Sequence, residues 1–168
     1  DAGDDLYPFV ADTGFVKDPA ATYTLSLYAK ADTLRWLVLS GDLFGAGRLA
    51  WFDLTDGVIG VGGPNLIAAT IAPAGNGWWR LAVTFTGSAS EYCAITPAPA
   101  MGTLGGSYAA DAGLYVWGLM LETGDRATSL ALGTGAAAPR AADAVTLEWG
   151  ATGLADGIAT IRYTFDDD

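Results

Sequence analysis

Two short stretches of this chain place an aromatic ring and a charged group on the same side of the backbone, the pairing needed to stack on a flat apolar ring while hydrogen bonding to its hydroxyls. In RLAWFDL, residues 48–54, side chains alternate so that Trp51 and Asp53 share a face with Leu49, opposite Ala50, Phe52 and Leu54. An indole can cover the apolar face of a pyranose, and a neighbouring carboxylate can accept its hydroxyl protons. In GWWRLAVTFTG, residues 77–87, Trp78 and Arg80 share a face with Ala82, Thr84 and Thr86, while Trp79, Leu81, Val83 and Phe85 take the other. Tyr28, with Lys30 and Arg35, extends a polar face by the same alternation. The candidate carbohydrate-binding residues are therefore Trp51, Asp53, Trp78, Arg80 and Tyr28. Each has a competing structural role, since a β core also consumes aromatics and Asp53 is placed to cap the turn at Asp56-Gly57.

Catalytic chemistry has little to work with. Histidine is absent, which removes the usual general base and any Ser-His or Cys-His nucleophile pair. Cys93 is the single cysteine, so the chain can form no internal disulfide and no Cys-based zinc site. The chain reads as a non-enzyme. Paired carboxylates for glycoside hydrolysis can come from separate strands, which keeps a polysaccharide depolymerase as the third-ranked reading. No cofactor is expected. The weak metal candidates are Glu122 and Asp125, beside Gly124, where a structural calcium has room; a salt bridge from Glu122 to Arg126 or Arg140 is preferred because no dense Asp-x-Asp spacing is present.

Charge narrows the partners. Eight Lys and Arg against nineteen Asp and Glu give a net charge of −11, which repels nucleic acid and anionic membranes. The same charge disfavours strongly anionic capsules unless calcium or a local Arg cluster intervenes, so neutral or sparsely charged glycans are the easier ligands. No apolar run reaches the ~18 residues of a membrane span, and the opening DAGDDLYPF lacks the basic and apolar regions of a signal peptide. Starting without Met and ending on three aspartates, the sequence looks like a soluble piece of a longer protein.

The elements that must position these residues are strands. In TYTLSLYAK, from Thr22, the set Tyr23, Leu25, Leu27 and Ala29 alternates with Thr24, Ser26, Tyr28 and Lys30. Similar runs occur at 34–40, 48–54, 57–62, 66–72, 78–86, 91–96, 114–121, 144–149 and 158–165. Asp56-Gly57 and Gly75-Asn76-Gly77 are hairpin signals, and residues 97–106, rich in Pro and Gly, read as a loop. In 114–121, strict alternation puts Trp117 with Tyr115, Leu119 and Leu121 on a core side, and Glu122 with Met120 opposite. No capped amphipathic helix is found, and the spacing of the runs predicts an all-β, antiparallel β-sandwich of the jelly-roll or concanavalin-like kind. Residues 1–21 are expected to be an arm or first strand, 22–149 the sandwich, and 150–168 a C-terminal strand and tail, with the Gly-Ala-rich 133–142 an ordered strap.

The segment LYVWGLMLETGDRATSLALGTGAAAPRAAD, residues 114–143, together with GWWRLAVTFTG, resembles β-sandwich modules of fibre, spike and other adsorption proteins of tailed bacteriophages and phage-derived particles. In those modules a tail reading roughly WGaQlE-G-aTsyipT-TRaaD follows a GW-R strand. The likeness covers about residues 22–143; Met120 stands where the family usually has Gln, and Leu130-Ala131-Leu132 replaces Tyr-Ile-Pro. It implies a non-catalytic, lectin-like domain on the extracellular surface of a virion or phage-like particle. The implied partners are host capsular or envelope polysaccharide and other subunits of the fibre or spike, in a homotrimer where the full assembly is trimeric. The rival is a structural or oligomerisation module of the fibre.

Overall fold

The computed structural model describes residues 10–12, 16–42, 47–89, 92–104, 108–109 and 111–130. Among these, every regular element is a strand: β1 (Val10–Asp12), β2 (Thr22–Ala31), β3 (Trp36–Ser40), β4 (Leu49–Asp53), β5 (Val58–Gly62), β6 (Leu66–Gly75), β7 (Trp78–Thr86), β8 (Tyr92–Ala98) and β9 (Leu114–Thr123). They form a five-stranded sheet ordered β1-β8-β3-β4-β5 and a four-stranded sheet ordered β6-β7-β2-β9. All pairings are antiparallel. The protein is an antiparallel β-sandwich. The strands expected at 144–149 and 158–165, and the strap at 133–142, lie outside the described residues.

Two-residue alternation builds the layer between the sheets. From the four-stranded sheet come Tyr23, Leu25, Leu27 and Ala29 of β2 and Leu81, Val83 and Phe85 of β7. Facing them are Leu37 and Leu39 of β3, Ala50 and Phe52 of β4, and Cys93 and Ile95 of β8, all in one buried cluster. Two polar ties join the sheets at their margins: the Trp79 indole donates to the Leu54 carbonyl at 2.9 Å, and Arg48 Nε donates to the Thr86 carbonyl at 2.9 Å. The first pairs an indole N–H that is half-buried, where an unmade bond would cost stability.

The turns follow their sequence signals with one difference. Asn76 and Gly77 both have positive φ (50° and 78°), as a two-residue hairpin of the mirror-image type requires. At the β4–β5 connection only Gly57 is left-handed (φ 67°), and the turn spans residues 54–57, closed by the Gly57 amide on the Asp53 carbonyl at 2.9 Å. Pro97, expected in a loop, lies within β8 opposite Leu37. It is tolerated because, among the described residues, β1 pairs only with Tyr92, Cys93 and Ala94, so no described strand on that flank of β8 needs an amide donor from Pro97.

Phe52 is fully buried between the sheets. Phe52→Ala is expected to lower unfolding free energy by about 3–5 kcal/mol in urea titration; a loss below ~1 kcal/mol would remove Phe52 from this layer.

Candidate functional site

The five predicted residues divide between the two outer faces of the sandwich. Trp51 and Asp53 lie on the outer side of the five-stranded sheet, and that side is covered. Trp51 is only 6% exposed and packs in a second small core with Val38, Leu49 and Ala98, with Leu104 against it. Its indole nitrogen donates to the Thr103 carbonyl at 3.1 Å. The residues after β8 thus fold over the strand face that alternation alone leaves open. Asp53 is 1% exposed. Its carboxylate takes the Arg35 guanidinium in a forked pairing and accepts the Thr55 and Asp56 amides at 3.0 and 3.2 Å. Neither side chain presents a surface to a sugar here, and the turn-capping role of Asp53 is the one realised.

Tyr28, Trp78 and Arg80 come together on the outer face of the four-stranded sheet. Tyr28 on β2 stands opposite Arg80 on β7 and opposite Trp117 on β9, so three side chains form one cross-strand row. The Tyr28 and Trp117 rings are 5.5 Å apart and tilted by 44°, and the Arg80 guanidinium lies 5.6 Å from the Tyr28 ring centre. In the next row Lys30 faces Tyr115, whose ring is 6.4 Å from that of Trp78. Trp117 and Tyr115 are 55% and 53% exposed. This is an open aromatic surface.

Trp117 and Tyr115 reach this face against the simple alternation of the sequence. The β2–β9 register shifts between Ser26 and Tyr28, opposite Gly118, whose φ is +64°. A bulge of one extra residue turns the parity of the strand over. Met120 and Glu122 before the shift, and Trp117 and Tyr115 beyond it, consequently share the outer face, while Leu121 and Leu114 pack towards the core. The expectation that Trp117 belongs to a core side is corrected by this bulge. The signal was present in the sequence as a glycine inside a strand.

One end of the face is roofed. The residues after β9 return across β2, because Thr128 bonds to strands on both sides of it. Its carbonyl accepts Arg80 of β7, and its amide (3.1 Å) and hydroxyl donate to Glu122 of β9. Beneath lie Thr24 and Thr84, bonded to each other at 3.0 Å, and Ser26, all buried despite facing outward. Ser26 Oγ and Arg80 Nε are buried without a hydrogen-bond partner. Glu122 is therefore bonded to Thr128 rather than to Arg126, the alternative Arg140 lies outside the described residues, and Asp125 pairs with Arg126 at 3.1 Å, where both are exposed. Among the described residues no group of three or more His, Cys, Asp or Glu side chains is arranged to hold a metal ion.

The remaining reactive groups are placed for structure. Cys93 is buried, and that burial is the chief cause of a thiol pKa pushed up to about 11, with nearby Asp42 adding to it and Lys17 opposing. The Lys17 ammonium, also buried, donates to the Tyr92 carbonyl at 2.9 Å. The chain matches no protein-family model and none of the curated proteins. The likeness to phage adsorption modules thus rests on the two sequence segments.

Burial of Asp53 pushes its pKa up, but the hydrogen bond from Arg35, the Asp56 and Thr55 amides and the Arg35 charge together outweigh it, leaving the pKa below the usual aspartate value. A carboxylate whose folded pKa is depressed adds stability above its unfolded pKa, about 4, and that contribution disappears as pH falls through the lower folded value. The denaturation midpoint of the wild type should therefore drop between pH 5 and pH 2 by more than that of Asp53→Asn. Parallel curves for the two proteins would show that Asp53 carries no such linkage.

Proposed function

We propose that this chain is a non-catalytic glycan-binding module of an adsorption fibre or spike on a phage-like particle, and that it meets host capsular or envelope polysaccharide through the outer face of the four-stranded sheet. The observation that carries the reading is the ring set of exposed Trp117 and Tyr115 with half-buried Trp78 and Tyr28, held on strands and flanked by Arg80 and Lys30. Rigid rings on a sheet give a pyranose an apolar surface at small entropic cost, and the adjoining polar groups orient it. The concanavalin-like or jelly-roll grouping belongs to the same reading, as do an extracellular, particle-surface location and partner subunits in the fibre or spike.

The absence of catalysis is part of the proposal. It draws on a sequence without histidine, a cysteine whose burial holds it as the thiol, and an Asp53 carboxylate committed to Arg35 and a turn. A second reading, a subunit-contact module, is favoured by the exposed aliphatic residues Val58, Ile59 and Val61 on β5 and Ile67 on β6. Those side chains are what an intersubunit contact would cover.

Trp117→Ala should weaken polysaccharide binding by about 1–3 kcal/mol, the loss of one stacking ring and its buried area, with the thermal unfolding midpoint unchanged. Trp51→Ala should behave oppositely, lowering stability by about 3–5 kcal/mol. Unaltered binding by a folded Trp117→Ala protein would transfer the function to the subunit-contact reading. New reducing ends or unsaturated uronates after incubation with capsule would replace binding with depolymerisation.

A further inference from the structure

We propose that the aromatic face is selective for acidic glycans, with Lys30 meeting a carboxylate borne on the stacked sugar ring. This rests on the reading of that face as a glycan site, and it names the class of sugar the site takes.

The argument comes from where the cations go. In a chain with nineteen acids and eight cations, carboxylates are in excess, and most described cations are committed. Arg35 is paired with Asp53 and Asp56, Arg48 with Asp42, and Arg126 with Asp125. Lys17 is buried and bonded to a backbone carbonyl. The other two, Lys30 and Arg80, have no carboxylate within ion-pairing distance among the described residues. Both stand on the same face, among the rings of Tyr28, Trp78, Tyr115 and Trp117. The acid of this face, Glu122, is held by Thr128 at the roofed end, so two cations without a carboxylate partner among the described residues stand on an aromatic surface of a protein that is acidic overall.

The two cations have different work. The Arg80 guanidinium is held over Tyr28 and bonded to the Thr128 carbonyl, so it contributes field more than contact. Lys30 lies at the other end. Its Cε is 3.4 Å, and its Nζ 3.9 Å, from where a Cβ on Gly77 would stand, so the side chain runs along the β6–β7 turn beside Trp78. Gly77 leaves room for it. A ring stacked by Trp78 and Tyr115 therefore brings its substituents to the Lys30 ammonium. Uronic acids carry the carboxylate on the pyranose itself, so that stacking and ion pairing occur in one residue; phosphate-linked chains place their charge between units and lose that coincidence.

The overall charge of −11 opposes polyanions at long range, but its reach is limited. At physiological salt the screening length is ~8 Å, so distant acids are largely screened while a contact pair at Lys30 is not. Short-range attraction then decides selectivity, and the acidic remainder of the protein suppresses adhesion of polyanions elsewhere.

The test is an array of bacterial polysaccharides in which each uronate-containing polymer is printed beside its carboxyl-reduced form, probed with the full chain. The acidic form should bind at least about tenfold better than its reduced partner. Lys30→Gln should erase that difference and Lys30→Arg largely restore it, while Trp117→Ala weakens both forms alike. Equal binding to acidic and reduced forms would leave the glycan site standing and overturn the acid selectivity. No binding to any polysaccharide by a protein with native circular dichroism would overturn both.

Discussion

Burial of a single apolar layer between the sheets governs what every other side chain can do. The inward rows of β2, β3, β4, β7 and β8 meet in one cluster that includes Leu25, Leu27, Leu37, Leu39, Phe52, Leu81, Val83 and Phe85. Each buried aliphatic or aromatic chain of this kind contributes on the order of 1.5–3 kcal/mol. Slipping any strand by one residue would exchange this row for its polar alternate, so the register of the sandwich is fixed by the layer. Once it is fixed, the outward positions follow by parity. Function has to be built from what is left outside.

The two outer faces meet that condition differently. On the five-stranded sheet the outward row is itself apolar, with Val38, Leu49 and Trp51, and the residues after β8 close over it. Asp53 continues that row into a turn, where Arg35 and two amides satisfy a carboxylate that burial would otherwise penalise. On the four-stranded sheet the outward row is polar at one end and aromatic at the other. The polar end, Thr24, Ser26 and Thr84, is roofed by the return through Thr128; the aromatic end is open. That return is the Thr-Ser step of the segment on which the family likeness rests. Its visible physical role is to tie β7 to β9 across β2.

The strand layer was legible because alternation is a local signal and the core enforces it. The runs from residue 22 to residue 121 appear as strands, and Asn76-Gly77 makes the tight turn its residue types demand. The divergences have separate causes. Trp51 takes the outer face that parity assigns it, but parity does not tell whether a distant loop covers that face. Strict alternation through Gly118 points Trp117 at the core, and the bulge there reverses it. Trp78, Arg80 and Tyr28 share an outer face as alternation implied, but the partners that complete it, Trp117 and Tyr115, depend on that reversal. Grouping Tyr28 and Arg35 in one polar face failed for a topological reason: Arg35 precedes β3 of the other sheet and reaches Asp53.

The bulge is thus the point at which sequence, fold and proposed function meet. A regular β9 would send Met120 and Glu122 outward and turn Trp117 and Tyr115 towards the inter-sheet layer, which is already filled by Leu27 and Ala29 of β2. Gly118 resolves the conflict because its left-handed φ is inexpensive without a side chain, whereas any Cβ there would stand 3.1 Å from Leu130 and 3.2 Å from Tyr28. The same glycine therefore keeps large rings out of a core that has no space for them and lays them beside Tyr28 and Trp78. An exposed indole on an edge strand carries a solubility cost that natural sheets usually avoid. Under the proposed reading a ligand covers it, and a shallow face of this kind works through many copies on one particle rather than through a deep pocket.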